Sequence, residues 1–291
     1  MILNGSKNSS TIYMETHKLL DRFELLYPQV SELADLRRAY IDKDLSSIFR
    51  LVTDENKEDL RKLVMEDNTW KLWPLLERYT DTHFVSAFKS FFVNETEIWE
   101  DCFSRGQLQS KQWLVQELER VDANLGTVFL CAGWYATLAT MLFESKLTVD
   151  KIRSFDIDPS CTSIANTFNK PWVINNWRFQ ASVEDICDIN YTNHTYTVTR
   201  SNGSTVELSD SPDTIINTSC EHISNFAEWY NSIPKGKLVV LQSNNYFEVE
   251  EHVNCVVDNN DFSRMAPMTQ ELYDGHLDLE KYTRFMRIGY R

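Results

Sequence analysis

GTVFLCAGWYATLATMLFESKLTVDKIRSFDIDP, residues 126–159, decides the fold. Two short runs, 127–131 and 152–155, flank a helical segment over 135–144. Neither run alternates apolar with polar residues, so each reads as a strand covered on both faces. A strand, a helical crossover and a second strand of this kind make a parallel pair.

The pattern continues downstream. A helix over 159–169 opens on Pro159 at its first position. Strands follow over 178–181, 214–217 and 238–242, with a helix over 225–232 before the last of them. A final strand is expected over 282–290, with 254–257 as a further candidate. The series predicts an α/β domain over 106–291 built on a doubly wound, mostly parallel, Rossmann-like sheet. One departure is expected at about 191–209, where runs 196–198 and 205–208 flank Ser201-Asn202-Gly203, a hairpin turn signal. That inserted hairpin either reaches over the active site or decorates the surface.

Upstream, residues 1–105 read as a helical cap or bundle. Leu19, Leu20, Phe23 and Leu26 form one apolar stripe, and Val30, Leu33, Leu36 and Tyr40 the next, opened by Pro28. Asp54 is the expected cap of a segment carrying Leu60, Leu63 and Val64. Trp70, Trp73, Leu76 and Tyr79 follow, then Phe84, Phe88, Phe91 and Phe92. Stripes at this spacing bury one helix face against another, so these aromatics are expected in a core.

Composition narrows the function. Apolar residues at 42% and charged residues at 25% fit a globular domain and exclude wholesale disorder. The net charge of -14 opposes approach to a phosphate backbone, so nucleic acid is disfavoured as a partner. A small molecule or a protein side chain is the expected substrate. The six cysteines form no C-x-x-C pair, so neither a zinc site nor a disulfide framework is read, and no metal set is expected. No apolar run reaches membrane-spanning length, and the first residues lack a signal-sequence core. The cytoplasm is the expected compartment. Oligomeric state is not legible.

Ligands of doubly wound sheets sit at the carboxyl ends of the strands. After the first strand come Cys131, Ala132, Gly133 and Trp134, where a glycine admits close approach. The second strand ends in Asp156-Ile157-Asp158-Pro159. Asp156 stands about 20 residues past the glycine turn, where an acid can take both ribose hydroxyls of a nucleoside. It could alternatively cap the next helix, a task that suits Asp158 better. Ser182, Val183, Glu184 and Asp185 follow the third strand, and Asn217, Thr218, Ser219, Cys220, Glu221 and His222 the fourth. Glu221 and His222 are the catalytic candidates, with His222 a possible general base because imidazole titrates near neutrality. His252 is a second candidate base, and nothing marks Cys220 as a nucleophile.

Taken in order, these segments resemble the class I S-adenosylmethionine (SAM)-dependent methyltransferase family over about 126–240. FLCAGWYATLATMLF looks like the glycine-containing SAM loop, and SFDIDPSCTSIAN like the segment whose acid holds the ribose. FQASVEDI looks like the segment near the adenine, DTIINTSCEHI like the one bordering the methyl group, and IPKGKLVVLQS like the turn into the fifth strand. The resemblance implies SAM as cofactor, held by Cys131, Ala132, Gly133, Trp134, Asp156, Ile157, Ser182, Val183, Asp185, Asn217 and Thr218. It implies methyl transfer by direct displacement, the helical domain covering the pocket. Other SAM-using transfers, of aminopropyl or aminocarboxypropyl groups, and a non-catalytic binding protein on the same fold stay open. Only Gly133 stands where the family carries two or three glycines. That departure counts against a dinucleotide fold, which needs its glycines at the pyrophosphate.

Overall fold

A computed structural model describes residues 15–46, 48, 51–80, 83–93, 100–200 and 202–291, without the side chains of 91–93 and 100. The chain divides into two compact units, Met1–Leu108 and Gln109–Arg291. No helix among the described residues is long and apolar enough to cross a membrane.

The first unit holds α1 (Thr16–Leu26), α2 (Ser31–Asp42), α3 (Lys57–Met65), α4 (Leu72–Thr80) and α5 (His83–Val93). The stripes meet as helix faces. Leu19, Leu33, Leu36, Leu63 and Leu76 are fully buried. Phe23 lies edge-on to Phe88 at 5.6 Å, and Phe88 to Phe103 at 4.4 Å. Two expectations need correcting. Trp70 is 60% exposed, because residues 69–71 form a 3-10 turn that rotates it away from the face Trp73 occupies. The cap position of α3 is Asn56 and not Asp54. The Asn56 side-chain oxygen instead accepts the Thr53 amide at 2.6 Å. The side chains of Phe91 and Phe92 lie outside the described residues.

The second unit is built on α6 (Arg105–Arg120), β1 (Asn124–Cys131), α7 (Thr137–Glu144), β2 (Thr148–Asp156), α8 (Pro159–Phe168), α9 (Lys170–Ile174) and β3 (Phe179–Val183). Then come the hairpin β4 (His194–Thr199) and β5 (Thr205–Asp210), β6 (Thr214–Asn217), α10 (Phe226–Ser232), β7 (Leu238–Asn244), α11 (Asn259–Met265), β8 (Gln270–Asp278) and β9 (Thr283–Tyr290). The main sheet runs β3-β2-β1-β6-β7-β9-β8. The pairs β1–β2, β2–β3, β1–β6 and β6–β7 are parallel, while β9 is antiparallel to both β7 and β8.

Apolar strands follow from burial on both faces. Val128 and Leu130 pack with Leu138 and Leu142 of α7 and Leu114 and Leu118 of α6. Phe129 and Cys131, on the opposite face, pack with Trp229 and Tyr230 of α10 and Phe262 of α11. Each such side chain contributes about 1.5–3 kcal/mol of burial.

Residues 254–257 are not a strand. Their amides bond to loop carbonyls, Asn254 to Glu221 at 2.9 Å and Val256 to Asn244 at 3.0 Å. The strand absent from the sequence reading is β8, a sheet edge whose half-exposed residues carry little apolar signal.

The hairpin forms a sheet of its own, turning at Gly203 with φ 81°. It is packed, not merely decorative. Tyr196 and Val198 are buried, and the His194 ring meets Phe155 edge-on at 5.1 Å. Asp210 accepts Arg153 Nε at 2.7 Å, Lys151 Nζ at 3.0 Å and the Tyr196 hydroxyl at 2.6 Å. Burial opposes the Asp210 charge, but Tyr196, Arg153 and Lys151 together hold its pKa below the ordinary value.

Candidate functional site

From β1 the chain moves outward to β2 and β3, then returns to lay β6 on the other side of β1. The strand order therefore reverses between β1 and β6, and the carboxyl ends of these strands are where a doubly wound sheet places its ligands.

The turn leaving β1 has an unusual backbone. Ala132, Trp134 and Ala136 have φ of 52°, 51° and 52°, the left-handed region that glycine favours. Holding three side-chain-bearing residues there costs about 1–2 kcal/mol each. Gly133, between them, is required for packing. A Cβ on it would lie 2.1 Å from Ser154 Oγ on β2. Its amide donates to the Phe155 carbonyl at 3.0 Å. The glycine thus serves the approach of the turn to β2. Trp134 stacks on Tyr135 with ring centroids 5.1 Å apart.

Asp156 ties this turn to the end of β2. One carboxylate oxygen accepts the Trp134 amide at 2.8 Å and the other the Asp158 amide at 3.0 Å. Asp158 caps α8 by accepting the Ser160 amide at 2.8 Å. Ile157 is 70% exposed, and Val183, on the adjacent strand end, is 48% exposed. Asp156 pairs in register with Val183, and Phe155 with Ser182. Asp156, Ile157, Ser182, Val183 and the turn at Ala132–Trp134 therefore gather at one corner.

Two other expected contacts are engaged within the fold. Cys131 is fully buried, its Sγ 3.4 Å from the Tyr191 hydroxyl, and burial pushes its pKa up to about 12. Asp185 is exposed and closes a local turn by accepting the Cys187 amide at 2.9 Å.

A second cluster follows β6. Asn217 is buried, its side-chain oxygen accepting the Ser219 amide at 2.8 Å, and the Thr218 carbonyl accepts Arg284 Nη1 at 2.8 Å. Glu221 is only 2% exposed. Its Oε1 accepts Asn244 Nδ2 at 2.7 Å and lies 3.4 Å from Arg284 Nη2. Burial works against the Arg284 charge, but Glu221 and Tyr282 hold its pKa above the ordinary value. His222 has an exposed edge, with Nδ1 3.2 Å from the Glu251 carbonyl. Burial of the rest of the ring lowers its pKa, with His252 acting the same way and Glu221 opposing. Cys220 is buried, which raises its thiol pKa far out of a nucleophile's range. Arg284 and Asn244 escaped the sequence reading as partners of Glu221, because they reach it from β9 and β7.

The sheet belongs to the Rossmann-like class. No family model matches the chain, and no curated protein matches it. Among solved structures, the chain is similar to the N-methyltransferase NodS from Bradyrhizobium japonicum WM9 in complex with S-adenosyl-L-homocysteine. Identity there is 8%, over 71% of this chain and 98% of that one, with a TM-score of 0.46. A putative sarcosine dimethylglycine methyltransferase from Galdieria sulphuraria is 10% identical over 70% and 97%, also at 0.46. The [4+2]-cyclase SpnF is 8% identical over 64% and 82%, at 0.44.

Proposed function

We propose that the corner between β1, β2 and β3 binds SAM, and that the chain transfers its methyl group to a small molecule or a protein side chain. The observation that supports this most strongly is the placement of Asp156 beside two neighbouring exposed apolar side chains. Each Asp156 oxygen accepts one amide and keeps further acceptor capacity for a ribose hydroxyl. Ile157 and Val183 offer an uncharged surface to a base. The turn after β1 takes glycine-like conformations despite its single glycine, which supports reading it as a loop of close approach. Bulky Trp134 and Tyr135 suit a ligand without phosphates better than a dinucleotide.

SAM, when bound, supplies a methyl group on a sulfonium that needs no further activation. The chain's task is to hold the acceptor in line and exclude water. Asn217, Thr218, Glu221 and His222, at and after the end of β6, are the acceptor-side candidates. His222, whose Nδ1 faces the Glu251 carbonyl, keeps Nε2 as an acceptor for a proton if the substrate must lose one.

Calorimetry with SAM and S-adenosylhomocysteine tests this reading. Micromolar binding, weakened about 1–3 kcal/mol in Asp156→Ala, is expected. No binding at millimolar ligand would overturn it. With an acceptor in hand, S-adenosylhomocysteine as product marks methyl transfer; methylthioadenosine would mark aminopropyl or aminocarboxypropyl transfer instead.

A further inference from the structure

Glu221, His222 and His252 each present a ligating atom, and these atoms lie within 4.8 Å of one another. We propose that the three side chains form a binding site for one divalent first-row transition-metal ion.

The first support is an unmet need. Oε1 of Glu221 is held by Asn244 and Arg284, but Oε2 is buried and accepts no hydrogen bond from the described residues. A buried carboxylate oxygen without a partner is costly, and a cation relieves that cost. Arg284 already balances the carboxylate charge, which reduces the attraction for a cation. It also leaves Oε2, not Oε1, as the donor.

The second support is the way the imidazoles are held. His222 Nδ1 lies 3.2 Å from the Glu251 carbonyl, and His252 Nδ1 lies 2.8 Å from the Tyr246 carbonyl. A carbonyl oxygen only accepts, so each Nδ1 is the protonated nitrogen and each Nε2 carries the lone pair. A carbonyl partner of this kind is the usual outer support of a metal-binding histidine. The rings themselves sit edge to face with centroids 4.6 Å apart.

The scaffold is braced as well. Asn244 Oδ1 accepts the Tyr246 amide at 2.8 Å, and the Glu221 carbonyl accepts the Asn254 amide at 2.9 Å. Asn254 Nδ2 also donates to the Ile223 carbonyl. The loops after β6 and β7 are thus cross-tied around the three donors.

Two imidazoles and one carboxylate favour zinc, manganese, iron, cobalt or nickel over magnesium and calcium, which prefer all-oxygen shells. Three protein ligands leave coordination positions open for water or a substrate atom. Ligand bonds of about 2.0–2.2 Å require the donors to close in around the ion. The exposed edge of His222 gives room for that movement. In this role Glu221 and His222 hold an ion instead of moving protons. The site does not depend on what the Asp156 corner binds.

The test uses the full chain, free of any histidine tag and stripped with a chelator, titrated with cobalt(II) and then with zinc(II). One equivalent of cobalt is expected to bind, with visible absorption of nitrogen and oxygen ligation, and zinc is expected to displace it. His222→Gln, on an exposed side chain, and His252→Gln are each expected to weaken binding more than about 100-fold, beyond the usual loss from an outer-support residue. Their metal-free melting temperatures are expected to match that of the natural chain. Glu221→Gln serves as a third variant if it folds. Absence of stoichiometric cobalt binding would overturn the proposal. So would binding unaffected by both histidine variants, or strong sulfur-to-cobalt charge-transfer bands, which would place the ion on cysteines.

Discussion

The Arg153–Asp210 pair and the Arg284–Glu221 pair are both buried in the second unit, yet they are completed differently. Around Asp210 every carboxylate oxygen is engaged, Oδ1 by Lys151 and Oδ2 by Arg153 and Tyr196. Arg153 spends further hydrogens on the Ile152 and Trp177 carbonyls. Around Glu221, Oε2 and Arg284 Nε both lack a partner among the described residues. A saturated network fixes the hairpin to β2 and has nothing left to offer. An unsaturated one at the carboxyl ends of β6 and β7 keeps binding capacity, and lies where a doubly wound sheet places its ligands.

The largest expected effect strikes the saturated pair. Asp210→Ala leaves a guanidinium that is 2% exposed without its counter-charge. Denaturant unfolding should register a loss of about 3–5 kcal/mol. A loss below about 1 kcal/mol would break the contrast, because the hairpin lock would then be idle.

Glu144 is a carboxylate shifted by burial, with no arginine among the causes of its shift. Burial pushes the Glu144 pKa from 4.5 up to about 7. Between those values the folded chain keeps a proton that the unfolded chain has lost. Stability contributed by this group therefore falls as pH rises through that window and levels off above it. Glu144→Gln should remove the slope and raise stability at pH 8 by about 1–2 kcal/mol, measured by unfolding at a series of pH values. An unchanged slope would mean that Glu144 ionises as freely as in the unfolded chain.

The smallest effect is expected at the Asp156 corner. Ile157→Ser alters an exposed side chain, so stability should move by less than about 0.5 kcal/mol. Affinity for S-adenosylhomocysteine should nevertheless fall by about 1 kcal/mol, as partial loss of apolar burial requires. Equal affinity would remove Ile157 from the binding surface.

These differences also mark what a sequence discloses. The parallel strands were legible because burial on both faces leaves uninterrupted apolar runs, as at Val128–Cys131. The edge strand β8 was not, since half-exposed residues such as Glu271 and Asp274 interrupt any apolar pattern. The place of Asp156 at the end of β2 was legible from the strand before it. The shape of the turn before it was hidden, because glycine count is a poor guide when Ala132, Trp134 and Ala136 accept left-handed backbone. Local spacing finds groups on one loop. It could mark Glu221 and His222 but not their meeting with His252, Asn244 and Arg284, which depends on how β6, β7 and β9 are ordered in the sheet.

A crystal structure of the chain grown with S-adenosylhomocysteine tests binding at the Asp156 corner most directly. Ribose hydroxyls are expected on the Asp156 carboxylate, the base against Ile157 and Val183, and the sulfur directed toward the end of β6. Crystals that bind the ligand elsewhere, or exclude it at millimolar concentration, would contradict it.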